Sequence, residues 1–260
     1  MNANHHDNTL TRWARVILLF PLFAFLPISG HAVTKAEADS SYVSEDYLQA
    51  IAQYEELLKA SPNAAVYYNL GNAYYRMDNI TRAILSYERA LLLSPGDADI
   101  RFNLQLARSK TVDKIVPQSE FFAVTWFRSL VNLLSVDGWA YASLVCLAVA
   151  IILALVYLFS TPVWLRKVGF FGGVLMLAFF LLANVFAFNQ QQIINHRDGA
   201  IIIQSAVAVK STPAPNGTDL FILHEGTKVT ITDDTVEGWC EVMVPDGKQG
   251  WVETAQVEVI

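Results

Sequence analysis

Two stretches of this chain, Trp139 to Phe159 and Val168 to Phe188, each run from end to end without a single charged side chain. At 1.5 Å rise per residue, each makes a helix of about 31 Å, which matches the hydrocarbon thickness of a bilayer. A helix buried in a water-soluble domain normally keeps one polar stripe, and neither run has one. The pair therefore reads as a transmembrane hairpin with spans 139–159 and 168–188. This accounts for a composition of 53% hydrophobic and 16% charged residues and a mean hydropathy of +0.34, where about a quarter charged is usual. Between the runs, residues 160–167 read as a short turn. Its Arg166 and Lys167 assign it to the cytoplasmic side, and Trp139, Tyr141, Tyr157 and Trp164 suit the interfaces. Both soluble flanks then lie outside the cytoplasm. Apart from Cys146 and the interfacial Tyr141 and Tyr157 the spans carry no titratable side chain, so an ion or proton path has nothing to run on. Gly172-Gly173 permits close helix approach.

The amino terminus leads to the same orientation. Arg12 and Arg15 precede an apolar core from Val16 to Ile28, followed by Ser29-Gly30-His31-Ala32. A basic flank, a core too short to span and small residues at its end read as a secretory signal peptide, residues 1–32. An uncleaved anchor is the alternative, and either outcome exports the chain beyond it.

Charge and chemistry narrow the function classes. Lys plus Arg number 18 against 24 for Asp plus Glu, net −6, so the chain offers no basic footprint to nucleic acid. Cys146 lies in an apolar run and Cys240 in an aqueous segment, which precludes a disulfide between them. His5, His6 and His31 fall within the signal segment, leaving His196 and His224 beyond it. His224-Glu225 has no second histidine at zinc-site spacing. The expectation is a protein without catalytic residues, metal or cofactor.

Residues 33–118 read as helical, and within 64–97 the order Tyr67, Leu70, Gly71, Tyr74, Ala83, Tyr87, Ala90, Pro95 resembles a tetratricopeptide repeat. The physics agrees: Tyr67, Leu70 and Tyr74 share one helix face, Gly71 and Ala83 are small where two antiparallel helices must approach, and Pro95-Gly96-Asp97 closes the unit. Tyr47, Ala50, Tyr54 and Pro62 repeat its second half, with Pro62 one repeat period ahead of Pro95. Phe102, Asn103 and Leu104 open a further helix. One complete repeat with partial neighbours is a short array, since about three are normally needed, so it must lean on something else. The resemblance implies a concave protein-binding groove formed by Tyr68, Asn72, Tyr75 and Arg76 with Phe102, Asn103 and Leu106. Asn72 and Asn103 suit an extended peptide, because an amide both donates and accepts. A pair of groove lysines is missing, so the carboxylate-clamping version of the repeat is only partly matched.

From residue 199 to 260 the texture changes to period-two alternation between turn signals. Candidate strands are 201–203, 206–210, 219–223, 228–232, 239–244 and 249–252, which predicts a small β-barrel. Val207-Ala208-Val209-Lys210-Ser211, Glu225-Gly226-Thr227-Lys228-Val229, Gly238-Trp239 and Asp246-Gly247 through Gly250-Trp251-Val252 resemble a bacterial SH3 domain. Trp239 and Trp251 are either core or ligand contacts, and Cys240 stands where a larger residue often follows the tryptophan. With 4 positive and 10 negative charges over 189–260, this region disfavours anionic polymers and suits basic peptides.

Two segments connect these parts. Residues 119–138, rich in Phe121, Phe122, Trp126 and Phe127, read as an amphipathic juxtamembrane segment that either lies on the membrane or packs on the repeats. Residues 189–198 read as a linker. The expected fold class is a multi-domain membrane protein: an all-α tetratricopeptide repeat solenoid, a two-helix transmembrane hairpin and a small all-β SH3-like barrel. This order, with Asp99-Ile100-Arg101-Phe102-Asn103-Leu104, Trp126 and Asp137-Gly138-Trp139, resembles the E-type (BatE-like) proteins of the bacterial aerotolerance (Bat) operon family. The resemblance implies a non-enzymatic scaffold of an inner-membrane assembly. It also implies von Willebrand A-type membrane proteins as partners and a MoxR-type ATPase nearby. Binding of peptidoglycan peptides by the SH3-like region is the alternative.

Overall fold

The computed structural model describes residues 33–116, 118–119 and 121–260. The expected signal peptide, residues 1–32, lies outside the described residues.

The repeat region is built from α1 (Lys35–Val43), α2 (Tyr47–Ala60), α3 (Ala64–Arg76), α4 (Ile80–Leu93) and α5 (Ala98–Arg108). An oxygen-bearing side chain starts each helix, capping backbone amides that have no intrahelical partner. Thr34 forms a capping box with Glu37, while Asp46, Asn63, Asn79 and Asp97 cap the other four. Glu45 and Asp78, one repeat period apart, both adopt left-handed backbone (φ 63° and 56°) just after α1 and α3. The turn chemistry therefore repeats with the helices, and α1 is a first helix despite lacking a Leu-Gly pair. Asp39 ties the first three helices together, its Oδ1 accepting from Tyr54 Oη at 2.7 Å and Asn69 Nδ2 at 2.9 Å. Gly71 marks the tightest approach of α3 and α4, since a Cβ there would stand 2.5 Å from the buried Tyr87 ring.

Helix α6 (Phe122–Val131) leads into the hairpin of α7 (Val136–Phe159) and α8 (Val163–Asn195). Both α7 and α8 are long and apolar enough to cross a membrane. Two corrections apply here. The turn is only residues 160–162, because Pro162 precedes the first residue of α8, a position proline tolerates well; Arg166 and Lys167 sit in the first turns of α8. The expected linker 189–198 is helical through Asn195, its glutamines and asparagines being compatible with continued helix once the end packs. Gly172 and Gly173 do face α7, where a Cβ would stand 3.1 Å and 3.7 Å from Leu153, and Gly169 adds a tighter contact, 2.7 Å from the Leu153 carbonyl oxygen. Helix α6 packs on α8, with Phe127 and Trp139 both edge-on to Phe186.

Strands β1 (Gly199–Ile202), β2 (Ala206–Lys210), β3 (Asp219–His224), β4 (Lys228–Asp233), β5 (Trp239–Met243), β6 (Gln249–Glu253) and β7 (Val257–Val259) form one antiparallel sheet of order β3-β2-β6-β5-β4-β1-β7. Val207, Val209, Leu223, Val229, Val242 and Val252 fill its core, together with Cys240. The sequence reading lacks β7, which at three residues is too short for a periodic signal.

Residues Thr34–Ile260 form one compact unit. Its unity comes from β1, whose Ala200 and Ile202 enter the barrel core while Ile201 enters the core of the repeats, joined there by Ile260. Helix α4 is consequently buried on two faces. Ala83, Tyr87 and Ala90 belong to the repeat core; Thr81 donates to Glu225 at 3.0 Å and Glu88 accepts from Lys228 at 2.8 Å. This is what the short array leans on. Because the barrel that follows α8 sits on the repeats that precede α7, both soluble domains lie at the same end of the hairpin.

Candidate functional site

The groove is assembled by α1, α3, α4 and α5. A cavity of about 250 Å³ is lined by Tyr42, Asn72, Tyr75, Arg76, Tyr87, Asn103 and Leu106. Five of the seven expected groove residues are thus brought together. Tyr68 sits behind the lining, its Oη accepting from Asn103 Nδ2 at 3.0 Å and its ring tilted against Tyr87. Phe102 lies outside the cavity, 66% exposed, one helical turn before Leu106 on the same side of α5. Tyr42 and Tyr87 are additions. Tyr87 was visible as a packing residue of the repeat motif, and its hydroxyl is what reaches the groove. Tyr42 belongs to the helix that lacks the motif's Leu-Gly pair, so it carried no signal.

The two asparagines do not each offer a complete amide. Asn72 Oδ1 accepts from Tyr87 Oη at 2.8 Å and from Asn103 Nδ2 at 3.0 Å. Asn103 Nδ2 is therefore spent on Tyr68 and Asn72 together. What is left over is one donor, Asn72 Nδ2, and one acceptor, Asn103 Oδ1, on adjacent first helices. An extended peptide presents one carbonyl and one amide per residue, and this residual pair is complementary to it. Burial drives the Tyr87 phenol pKa far above its ordinary value, so the hydroxyl remains a donor and holds Asn72 in one orientation. At the mouth, Lys110 Nζ stands 4.4 Å from the Tyr75 ring centroid and 3.3 Å from Asp78 Oδ1. The neighbouring Tyr42 raises the Arg76 guanidinium pKa above its ordinary value.

The barrel offers a second surface. Glu241 and Lys210 stand opposite Trp251, and Glu253 opposite Trp239. Strand alternation puts Trp239, Glu241 and Trp251 on the face opposite to Cys240, Val242 and Val252. Both tryptophans are half-buried on the outer face and neither belongs to the barrel core. Cys240 is a core residue, 1% exposed, and burial pushes its thiol pKa up. Its small size accordingly does not bear on the outer aromatic face. Among the described residues no group of three His, Cys, Asp or Glu side chains is arranged to hold a metal.

Residues 35–104 match the tetratricopeptide repeat family, and residues 205–258 match the bacterial SH3 domain family. Among curated proteins none matches the chain. Both domains are therefore present; the first kind points to protein–protein interaction and the second to cell-wall binding.

Proposed function

We propose that the protein is a non-enzymatic scaffold, tethered in the inner membrane by its helical hairpin, whose repeat groove holds an extended segment of a partner protein in the periplasm. The observation that carries this reading is the residual donor–acceptor pair of Asn72 and Asn103, facing a cavity on the first helices while the barrel covers α4. The placement of both domains at one end of the hairpin supports a shared compartment. Arg166 and Lys167 at the opposite end favour the cytoplasm for the turn. In the setting that the Bat-type resemblance suggests, the partners are von Willebrand A-type membrane proteins of an aerotolerance assembly linked to envelope stress tolerance. Pull-down from detergent-solubilised membranes tests the groove: wild type retains a membrane partner and Tyr75→Ala loses it. Equal recovery by both, or no membrane partner at all, sinks the reading. Reporters fused after Val33 and at Ile260 test the orientation, and activity of either reporter only in the cytoplasm refutes it.

A second reading is recognition of peptidoglycan stem peptides by the barrel. It is favoured by Trp239 and Trp251 sharing one outer face with Glu241 and Glu253, where aromatic stacking and carboxylates suit a peptide bearing free amines.

A further inference from the structure

Where α8 emerges beyond its apolar stretch, the repeats, α6, α8 and the barrel together enclose a cavity of about 510 Å³. Leu91, Leu92 and Ile193 supply apolar wall, and Arg128, Arg197 and Lys228 converge on it. The convergence is unusual in a chain of net charge −6, since Arg197 and Lys228 are two of only four cationic side chains after residue 189. Two carboxylates also line it, Glu88 and Asp198. Glu88 is answered by Arg108 as well as by Lys228, so the local balance stays positive.

A separate observation points to a missing partner. Gln190 lines this cavity, is only 2% exposed, and neither its Nε2 nor its Oε1 has a hydrogen bond. Buried side-chain amides are nearly always paired, so an unpaired one calls for an occupant with both an acceptor and a donor. Gln190 lies one helical turn, about 6 Å, beyond Phe186, the residue that anchors α6 and Trp139 to α8. Helix α6, which reaches the cavity through Arg128, exposes Phe122 and Trp126 together with the preceding Phe121, side chains that suit the acyl–headgroup boundary. The cavity is thus at headgroup depth if the hairpin spans the membrane, as the proposed function holds.

We infer that this cavity binds the headgroup of an anionic phospholipid whose phosphate is met by Arg197 and Lys228 and whose phosphate oxygen and hydroxyl satisfy the Gln190 amide. A hydroxyl-bearing phosphodiester such as phosphatidylglycerol has both functions, whereas a choline headgroup lacks the donor and adds a positive charge. Basic pockets at the ends of membrane helices recognise anionic headgroups by this chemistry.

The test is native mass spectrometry of the full chain in detergent micelles, titrated separately with phosphatidylglycerol, phosphatidylcholine and inorganic phosphate. Wild type retains phosphatidylglycerol in preference to phosphatidylcholine, and Arg197→Gln, at an exposed position, reduces that retention about tenfold, the worth of one charge-assisted hydrogen bond. Gln190→Leu reduces it as well, while melting no lower than wild type in lipid-free micelles, because it removes an unpaired amide. Equal retention of the two lipids, or undiminished phosphatidylglycerol binding by both variants, overturns the assignment. Saturation by inorganic phosphate with no further gain from the lipid assigns the site to a soluble anion and overturns it too. Carbonate extraction of cell membranes separates this from the tether itself. A chain that resists extraction yet shows no lipid preference loses only the headgroup site, and one released by carbonate loses both.

Discussion

Asp113 binds His224 twice: its Oδ2 accepts from the His224 backbone amide at 2.7 Å, and its Oδ1 lies 2.8 Å from Nδ1 of the ring. Thr227 Oγ1 donates to the same Oδ2 at 2.7 Å. One carboxylate in the segment that follows the repeats thereby closes the β3–β4 turn of a barrel on the far side of the hairpin in sequence. The same segment continues along the barrel, where the Gln118 backbone N–H donates to the Pro245 carbonyl at 2.9 Å and Ile115 packs on the core.

This contact carries a pH dependence. Burial tends to raise the Asp113 pKa, but the hydrogen bonds from the His224 amide, Thr227 and the His224 ring outweigh it and hold the carboxyl below its ordinary value. A depressed folded value contributes stability that is complete above the unfolded carboxylate range, about pH 4, and is lost as pH falls through the folded value. Thermal melts of the full chain in detergent should therefore show wild type losing stability below about pH 4. Asp113→Ala should be less stable at neutral pH by about 1–3 kcal/mol, with a flatter acid limb.

Glu88 is a further polar tie between repeats and barrel, 4% exposed and flanked by Arg108 and Lys228. Glu88→Gln leaves both cations partly uncompensated and should cost about 1–3 kcal/mol in a denaturant melt. Lys228→Met should cost less, since Lys228 is itself 40% exposed and Arg108 still answers the buried carboxylate.

The groove should separate stability from binding. Gly71→Ala drives a methyl into the Tyr87 ring, which is closed in on all sides, and should destabilise by about 1–3 kcal/mol. Phe102→Ala at an exposed site should change the melt by less than about 0.5 kcal/mol. It should nevertheless reduce recovery of the partner, because Phe102 and Leu106 form the apolar rim. Circular dichroism melts and quantitative pull-down on the same preparations check the pair.

The outer barrel face makes a prediction for the wall. Full-length protein mixed with purified sacculi should sediment with them, and Trp251→Ala should lose most of that binding with its melt unchanged within about 1 kcal/mol. A wild-type protein that stays in the supernatant removes the cell-wall reading and leaves the groove reading intact.

Local patterns made much of this legible. Tyr67, Leu70, Gly71, Ala83 and Tyr87 announced a helix pair because their spacing already encodes which sides must meet, and the uncharged runs announced α7 and α8 through length alone. Alternation announced six strands, and it also bore on Trp239 and Trp251: once Cys240 is inside, its neighbour Trp239 must point out, which the sequence reading left open. The groove was legible as a surface, while the division of labour between Asn72 and Asn103 was not. Hydrogen bonds from Tyr87 and Tyr68 decide which amide atoms remain, and a side-chain hydroxyl's reach has no periodic signature.

What the sequence alone determined is the inventory: a helix pair spaced by Tyr67, Leu70, Gly71, Ala83 and Tyr87 with partial neighbours, two apolar helices, and an alternating β region. What only the tertiary structure decided is that these parts are one body, with Ile201 and Ile260 inside the repeat core and Gln190 walled into a cavity between four elements. The reason is physical. Helix and strand formation is governed by residues a few positions apart, so spacing records it, whereas docking is governed by shape and charge matched between residues far apart along the chain. A β1 buried on both faces reads as a short apolar run in either case, and only its neighbours in space say why.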